Sequence, residues 1–269
     1  MKKILLILLI LFSLVNIAVA GPFCIKEPIC VRQPKEGLYV IKINTKQYSV
    51  RPYIIENGFD TSENVFKKNN FYGVLNGGYF DFKNMKTVSF VIKDEQVILD
   101  ALKNEHLSSN PLIKDHVDLI FNRSELRRMD CNGQIKYDIL KHYDVVPLGC
   151  KIIDSLQAGP ILYPENKSTE EFFTKYNNEG KMVRDAIQVN DKKPRTAVAL
   201  KNNNVYFIIA TKKYPMSLND LHDFAQKENY DKMLNLDGGG STSFTNAELN
   251  IKSEKDGSQR KVKSFLIIE

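Results

Sequence analysis

A short apolar segment, Met233-Leu234-Asn235-Leu236, runs directly into Asp237-Gly238-Gly239-Gly240-Ser241-Thr242. Three consecutive glycines end whatever regular element precedes them, because each costs about 1 kcal/mol relative to alanine inside a helix or strand. Four residues are too few for a buried helix and read as a buried strand. A fold that keeps this strand must place the glycine turn at its end. There the backbone N–H groups can approach a ligand closely, in a concavity suited to anionic oxygens. An acid and two hydroxyls flank the glycines, which favours a ligand over a plain turn.

A second apolar run, residues 71–82, is broken by Asn76-Gly77-Gly78-Tyr79-Phe80. A lone Gly-Gly pair more often marks a tight turn or bulge. Residues 38–43, 48–50 and 53–55 read as strand, and 88–99 as a hairpin turning at Lys93-Asp94-Glu95. Residues 115–121 and 134–139 suggest two weak strands around a polar segment, 122–132. Residues 168–177 suggest a helix capped by Ser168 or Thr169. Residues 195–200 and 205–210 form a hairpin around Asn202-Asn203. Ser217 caps the best helix, with Asp220 three residues on, an apolar stripe of Leu218, Leu221, Phe224 and Ala225, and Asn229 as its stop. Residues 262–268 close the chain as a strand. The pattern predicts an α+β fold: a single strand-rich domain, residues 37–269, with mixed sheets and a few helices. Residues 21–36 are Pro-rich and read as irregular.

Composition excludes other classes. Of 269 residues, 43 % are hydrophobic and 26 % charged, enough apolar material for a substantial core rather than disorder. The first twenty residues have the layout of a secretory signal peptide. Lys2-Lys3 precede the apolar run 4–12, and Ala18-Val19-Ala20 precede Gly21. The apolar run is about half of the ~20 residues a spanning helix needs, so cleavage is expected and no membrane span after it. Lys2 and Lys3 lie in the leader and no acid does, so the formal charge of +6 falls to +4 beyond it. The basic residues are scattered, unlike the dense stripe of a nucleic-acid face. Periplasmic or secreted location is expected. Four cysteines, Cys24, Cys30, Cys131 and Cys150, lie beyond the leader and allow three pairings, of which Cys24–Cys30 and Cys131–Cys150 are favoured. No CxxC, grouped histidines or dense acidic cluster occurs, so no metal and no cofactor is expected.

Two common catalytic motifs fail. A P-loop needs Lys where Gly240 stands, and a nucleophile elbow needs Gly where Ser243 stands. Pro194-Arg195-Thr196-Ala197 opens an apolar strand with an Arg whose planar fork suits phosphate or carboxylate. Gln157-Ala158-Gly159-Pro160 is a third small-residue entry into a strand.

Taken in order, Asn76-Gly77-Gly78-Tyr79-Phe80, Gln157-Ala158-Gly159-Pro160, Pro194-Arg195-Thr196-Ala197 and Leu234 to Phe244 resemble the phosphodiester glycosidase family. Arg260 followed by Val262 is similar to a basic position near that family's C-terminal strand. The resemblance implies cleavage at the anomeric carbon of a sugar whose leaving group is a phosphodiester. It implies Asp237 and Arg195 as catalytic residues. Asn76, Gly77, Gly78, Gly159, Thr196, Gly238, Gly239, Gly240, Ser241 and Thr242 would hold substrate. The implied partner is a small-molecule or glycan phosphodiester. The competing expectation is a non-catalytic envelope protein that binds glycan in the same pocket.

Overall fold

The computed structural model describes residues 29–81, 83–253 and 257–269. The expected leader and Cys24 lie outside the described residues. Three sheets form the body. The first has six strands in the order Ile29–Lys35, Leu38–Ile43, Asn204–Ala210, Arg195–Lys201, Lys232–Asn235, Ile161–Tyr163. The second orders Asn250–Ile251, Phe244–Thr245, Gly73–Asn76, Ser264–Ile268, Val50–Ile54. The third orders Gln96–Leu99, Val91–Lys93, Cys150–Gln157, Ser124–Cys131, Gln134–Lys141. Among the described residues every strand pairing in these sheets is antiparallel. The α+β class stands, but these sheets are antiparallel rather than mixed, and their strand orders make distant stretches of sequence neighbours. The few helices fit this, since antiparallel strands do not require helical crossovers.

One core joins all three sheets. Ile41, Val198, Leu200 and Phe207 from the first meet Leu75, Phe244 and Leu266 from the second and Leu126, Ile139 and Leu156 from the third. The period-2 alternation of strands sets the other faces. Ala197 and Ala199 point away from Val198 and Leu200, and their small side chains admit the helix Leu218–Glu228 through Leu218, Leu221 and Ala225. That helix begins as expected: Ser217 Oγ accepts the Asp220 N–H, Asp220 returns a bond to the Ser217 N–H, and Asn229 stops it at φ 53°. On the second sheet, Val74, Phe265 and Ile267 face Val65 of the helix Ser62–Lys68. The hairpin after Lys201 turns where Asn202 and Asn203 both take positive φ, which asparagine tolerates.

Four local expectations change. Residues 29–35 are an edge strand, not irregular; Pro34 lies in the stretch where the register shifts, at an edge that tolerates a missing N–H. Residues 117–121 are helical, because Val117, Ile120 and Phe121 repeat at helical spacing. The polar stretch 124–131 is a central strand of the third sheet, because its charges are paired internally. Residues 168–173 only turn, and Thr174–Tyr176 is a strand. There Phe172 adopts φ 55°, which breaks a helix, while buried Glu171 is held by Ser124 and the Ile161 N–H. Cys131 and Cys150 face each other across adjacent strands and are disulfide-bonded. Cys30 is also disulfide-bonded; its expected pairing with Cys24 involves a residue outside the described ones.

Among the described residues no helix is long and apolar enough to cross a membrane.

Candidate active site

The four sequence motifs meet where strand ends of the first two sheets and the exit of the third converge. Backbone bonds tie them directly. Asp237 N–H donates to the Gly77 carbonyl, Leu236 N–H to Thr196, Gly239 N–H to Pro194, and Gly159 N–H to Asn235. Side chains reinforce this. Asn76 Nδ2 donates to the Asp237 carbonyl at 2.6 Å, and its Oδ1 accepts from Thr196 Oγ1 at 2.9 Å and the Ser243 N–H at 3.1 Å. Thr196 and Thr242 hydroxyls lie 3.2 Å apart. Asn76, Thr196 and Thr242 are fully buried, so they form the foundation of the site rather than its lining.

The cleft above this foundation has a volume of about 220 Å³ and is lined by Tyr79, Gln188, Lys193, Arg195, Asn235, Asp237, Gly238 and Gly239, among others. That lies below the roughly 300 Å³ at which drug-sized pockets begin, so it suits one small ring rather than a chain. Gly77 and Gly78 are absent from its lining. Their N–H groups donate to Ser264, and a Cβ on either would lie under 3.0 Å from Ser264 or Gln157 backbone atoms. Gly159 likewise turns at φ 95° against the Glu171 carboxylate. These three glycines permit close packing at the base of the site. Gly238 and Gly239 border the cleft, while Gly239, Gly240 and Ser241 form one tight turn.

Asp237 is partly buried. Burial pushes its carboxyl pKa up to about 6, opposed by the Ser241 hydroxyl, the charge of Arg260 and the Gly238 N–H. The Ser241 hydroxyl is buried and otherwise without a partner of hydrogen-bond geometry. Arg195 is almost wholly buried. Its Nε donates to Met216 O, Nη1 to Ile187 O, and Nη2 to Gln188 O and Asp191 O. Four of its five N–H groups are therefore engaged, three by the loop that walls the cleft and one by Met216. The open fork expected from the sequence is engaged by backbone. Its charge is not, because among the described residues no carboxylate lies within the 4.0 Å of an ion pair. Lys193 adds a second cation to the lining.

Tyr79 and Asn235, each inside one of the motifs, also line the cleft. The Tyr79 hydroxyl donates to Gly159 O at 2.8 Å and accepts from Asn235 Nδ2 at 2.6 Å. Burial, then the Asp237 charge, raises the Tyr79 pKa, which keeps its proton in place for that bond. The available signal was an amide inside an otherwise apolar strand, since a buried polar side chain must find partners. Gln188 and Lys193 carried no signal, since they reach the cleft only through the loop that Arg195 anchors.

This arrangement places one carboxylate with raised proton affinity beside two cations on a ring-sized cleft. It can bind an anion next to a carboxylate able to serve as nucleophile, base or electrostatic partner.

Comparison with solved structures gives three similar folds. The catalytic domain of zebrafish N-acetylglucosamine-1-phosphodiester alpha-N-acetylglucosaminidase, auto-inhibited by its pro-peptide, aligns at TM-score 0.61 and 16 % identity, over 89 % of this chain and 81 % of that one. A presumed exported protein of Burkholderia pseudomallei aligns at TM-score 0.61 and 11 % identity, over 86 % of this chain and 73 % of that one. A hypothetical protein from Synechocystis aligns at TM-score 0.58 and 14 % identity, over 89 % and 61 %. No curated protein sequence matches the chain. At these identities the structural likeness shows the fold alone. The sequence model for phosphodiester glycosidases matches residues 69–269 and covers every motif described above. The chain belongs to the phosphodiester glycosidase family.

Proposed function

We propose that this protein hydrolyses a sugar-1-phosphodiester at the anomeric carbon, with Asp237 as the reacting carboxylate. The observation that carries the reading is the shared cleft: Asp237 faces a ring-sized space whose wall holds the unpaired charge of Arg195 and the ammonium of Lys193. A phosphodiester leaves readily and needs little proton donation. It does need its departing negative charge held, which fixed cations and backbone N–H groups do well at a water-poor site. The oxocarbenium-like sugar needs a nearby carboxylate, and Asp237 supplies it. Arg260 acts on the same carboxylate and adds positive field. Arg195 contributes its charge and the position of the loop rather than an open fork.

Asp237→Asn is expected to lower kcat for a fluorogenic sugar-1-phosphodiester by about 10³-fold while the protein stays folded. A plain aryl glycoside serves as control. Turnover near wild type sinks the role of Asp237. Binding without turnover by the wild-type protein identifies a glycan-binding protein instead.

Export to the periplasm or exterior, and action on envelope or extracellular glycoconjugates, belong to the same proposal. The basic-apolar-small leader and the Cys131–Cys150 disulfide support it. Mass spectrometry of the protein from its native host should find a mature chain beginning at Gly21. An intact Met1 in a cytoplasmic fraction contradicts export.

A further inference from the structure

Asn235 is 1 % exposed and lines the cleft beside Asp237. Its hydrogen bonds have a fixed direction. The Gly159 carbonyl only accepts, so the Tyr79 hydroxyl 2.8 Å away donates to it. That hydroxyl then accepts from Asn235 Nδ2 at 2.6 Å, and Nδ2 also donates to Gly159 O at 3.3 Å. A flipped amide would set Oδ1 against the Gly159 carbonyl, acceptor facing acceptor, which fixes its orientation. Asn235 Oδ1 is thereby held as an acceptor, buried and without a partner among the described residues. A buried acceptor left alone costs about 1–3 kcal/mol, which a donor entering the cleft relieves.

We propose that Asn235 Oδ1 is a specificity determinant, accepting a hydrogen bond from a hydroxyl or acetamido N–H on the sugar carbon next to the anomeric centre. This rests on the sugar-phosphodiester reading above. Asp237 serves the anomeric carbon. Asn235 precedes it by two positions, and Leu236 between them is turned into the core. Residues i and i+2 of an extended chain share a face with Cα atoms about 6–7 Å apart. Side chains converging from that spacing on one small ring reach adjacent ring positions. Arg195 and Lys193 bring positive charge to the cleft, suited to phosphate oxygens. Asn235 is an acceptor matched to a sugar donor.

The test compares calorimetric binding of glucose-1-phosphate, N-acetylglucosamine-1-phosphate and 2-deoxyglucose-1-phosphate. The wild-type protein is expected to bind the better of the first two at least about tenfold more tightly than the 2-deoxy sugar. Asn235→Leu, which keeps the side chain's size, should bring that ratio close to one. Tyr79→Phe removes the bond that orients the amide and should give an intermediate ratio. Should Asn235→Leu not fold, the wild-type ratio and Tyr79→Phe decide. A wild-type ratio near one, a ratio untouched in folded variants, or no binding of any of the three overturns the proposal. Failure of the hydrolase reading shows separately, as absent turnover of sugar-1-phosphodiesters while the binding preference persists.

Discussion

Two buried arginines make the same number of hydrogen bonds and do different things. Arg127, on the third sheet, is wholly buried and donates from Nε to Glu125 at 2.7 Å and to the carbonyls of Lys141, His142 and Asp144. Glu125 is equally buried and also accepts from His142 Nδ1 and the Ser155 hydroxyl. The charge there is cancelled within the network. Arg195 donates four bonds as well, all to neutral carbonyls, and borders the cleft. Burial lowers its pKa, and Asp185 and Asp191, beyond ion-pair distance, offset the loss of water only in part. Engaging an arginine's donors is therefore not the same as neutralising its charge. The first arginine holds a sheet together; the second holds a loop and still presents a cation to the cleft.

That contrast predicts opposite consequences. The largest effect is expected from Arg127→Met, which leaves Glu125 buried without its cation. Loss of one partner of a buried pair costs about 3–5 kcal/mol, read as a drop in the urea midpoint, with kcat per folded molecule unchanged. A kcat loss as large as that of Asp237→Asn breaks the distinction. Next, replacing Cys131 and Cys150 together by Ser opens a link between residues 19 apart. In the chain-entropy model such a link is worth about 3 kcal/mol, again without change in kcat.

The cleft behaves in the reverse way, and pH reports it. The Asp237 pKa is about 6 in the folded protein against 3.8 for a free aspartate side chain. Between those values the folded state binds more protons than the unfolded, so this group's contribution to stability falls as pH rises and the penalty is complete above about 6. Asp237→Asn should thus be more stable than wild type above that pH, by on the order of 2 kcal/mol, with no advantage below about pH 4. In wild type, kcat/KM should fall as pH drops through about 6, because the reacting carboxylate must be ionised. Parallel melting curves from pH 4 to 8 check the first claim, and initial rates check the second. The smallest effect is expected from Arg195→Gln. It should weaken sugar-phosphodiester binding about tenfold, roughly 1.4 kcal/mol, more than binding of the free sugar. Equal weakening of both shows that the loop, not the charge, is what Arg195 provides.

Local chemistry was legible in the sequence. The Asn202-Asn203 turn, the Ser217–Asp220 cap and the strand leading to Asp237 depend on neighbours in the chain, and each appears where expected. Non-local pairing was not legible. Glu125 and Arg127 made a central strand look like a polar loop, because their cancelling partners include residues up to 30 positions away. The helix expected at 168–177 gave way to Glu171 bonding Ser124, a tertiary contact that outweighs propensity. At the site, the motif segments come together in space, but the sequence did not show how deep each residue lies. Asn76 and Thr196 have the chemistry of substrate ligands, yet each is used on the other and on the Asp237 loop. Asn235, inside the strand that leads to Asp237, keeps a buried acceptor that no described residue meets.

The loop hung from Arg195 has a practical meaning for redesign. Ile187, Gln188 and Asp191 are pegged by a single side chain, and this stretch supplies part of the cleft's wall. Insertions or deletions on either side of the peg would widen or narrow the chamber while leaving Asp237 and its foundation of buried amides and hydroxyls in place. A chain built this way can change the size of ligand it admits by editing a stretch of surface, without rebuilding the foundation beneath it.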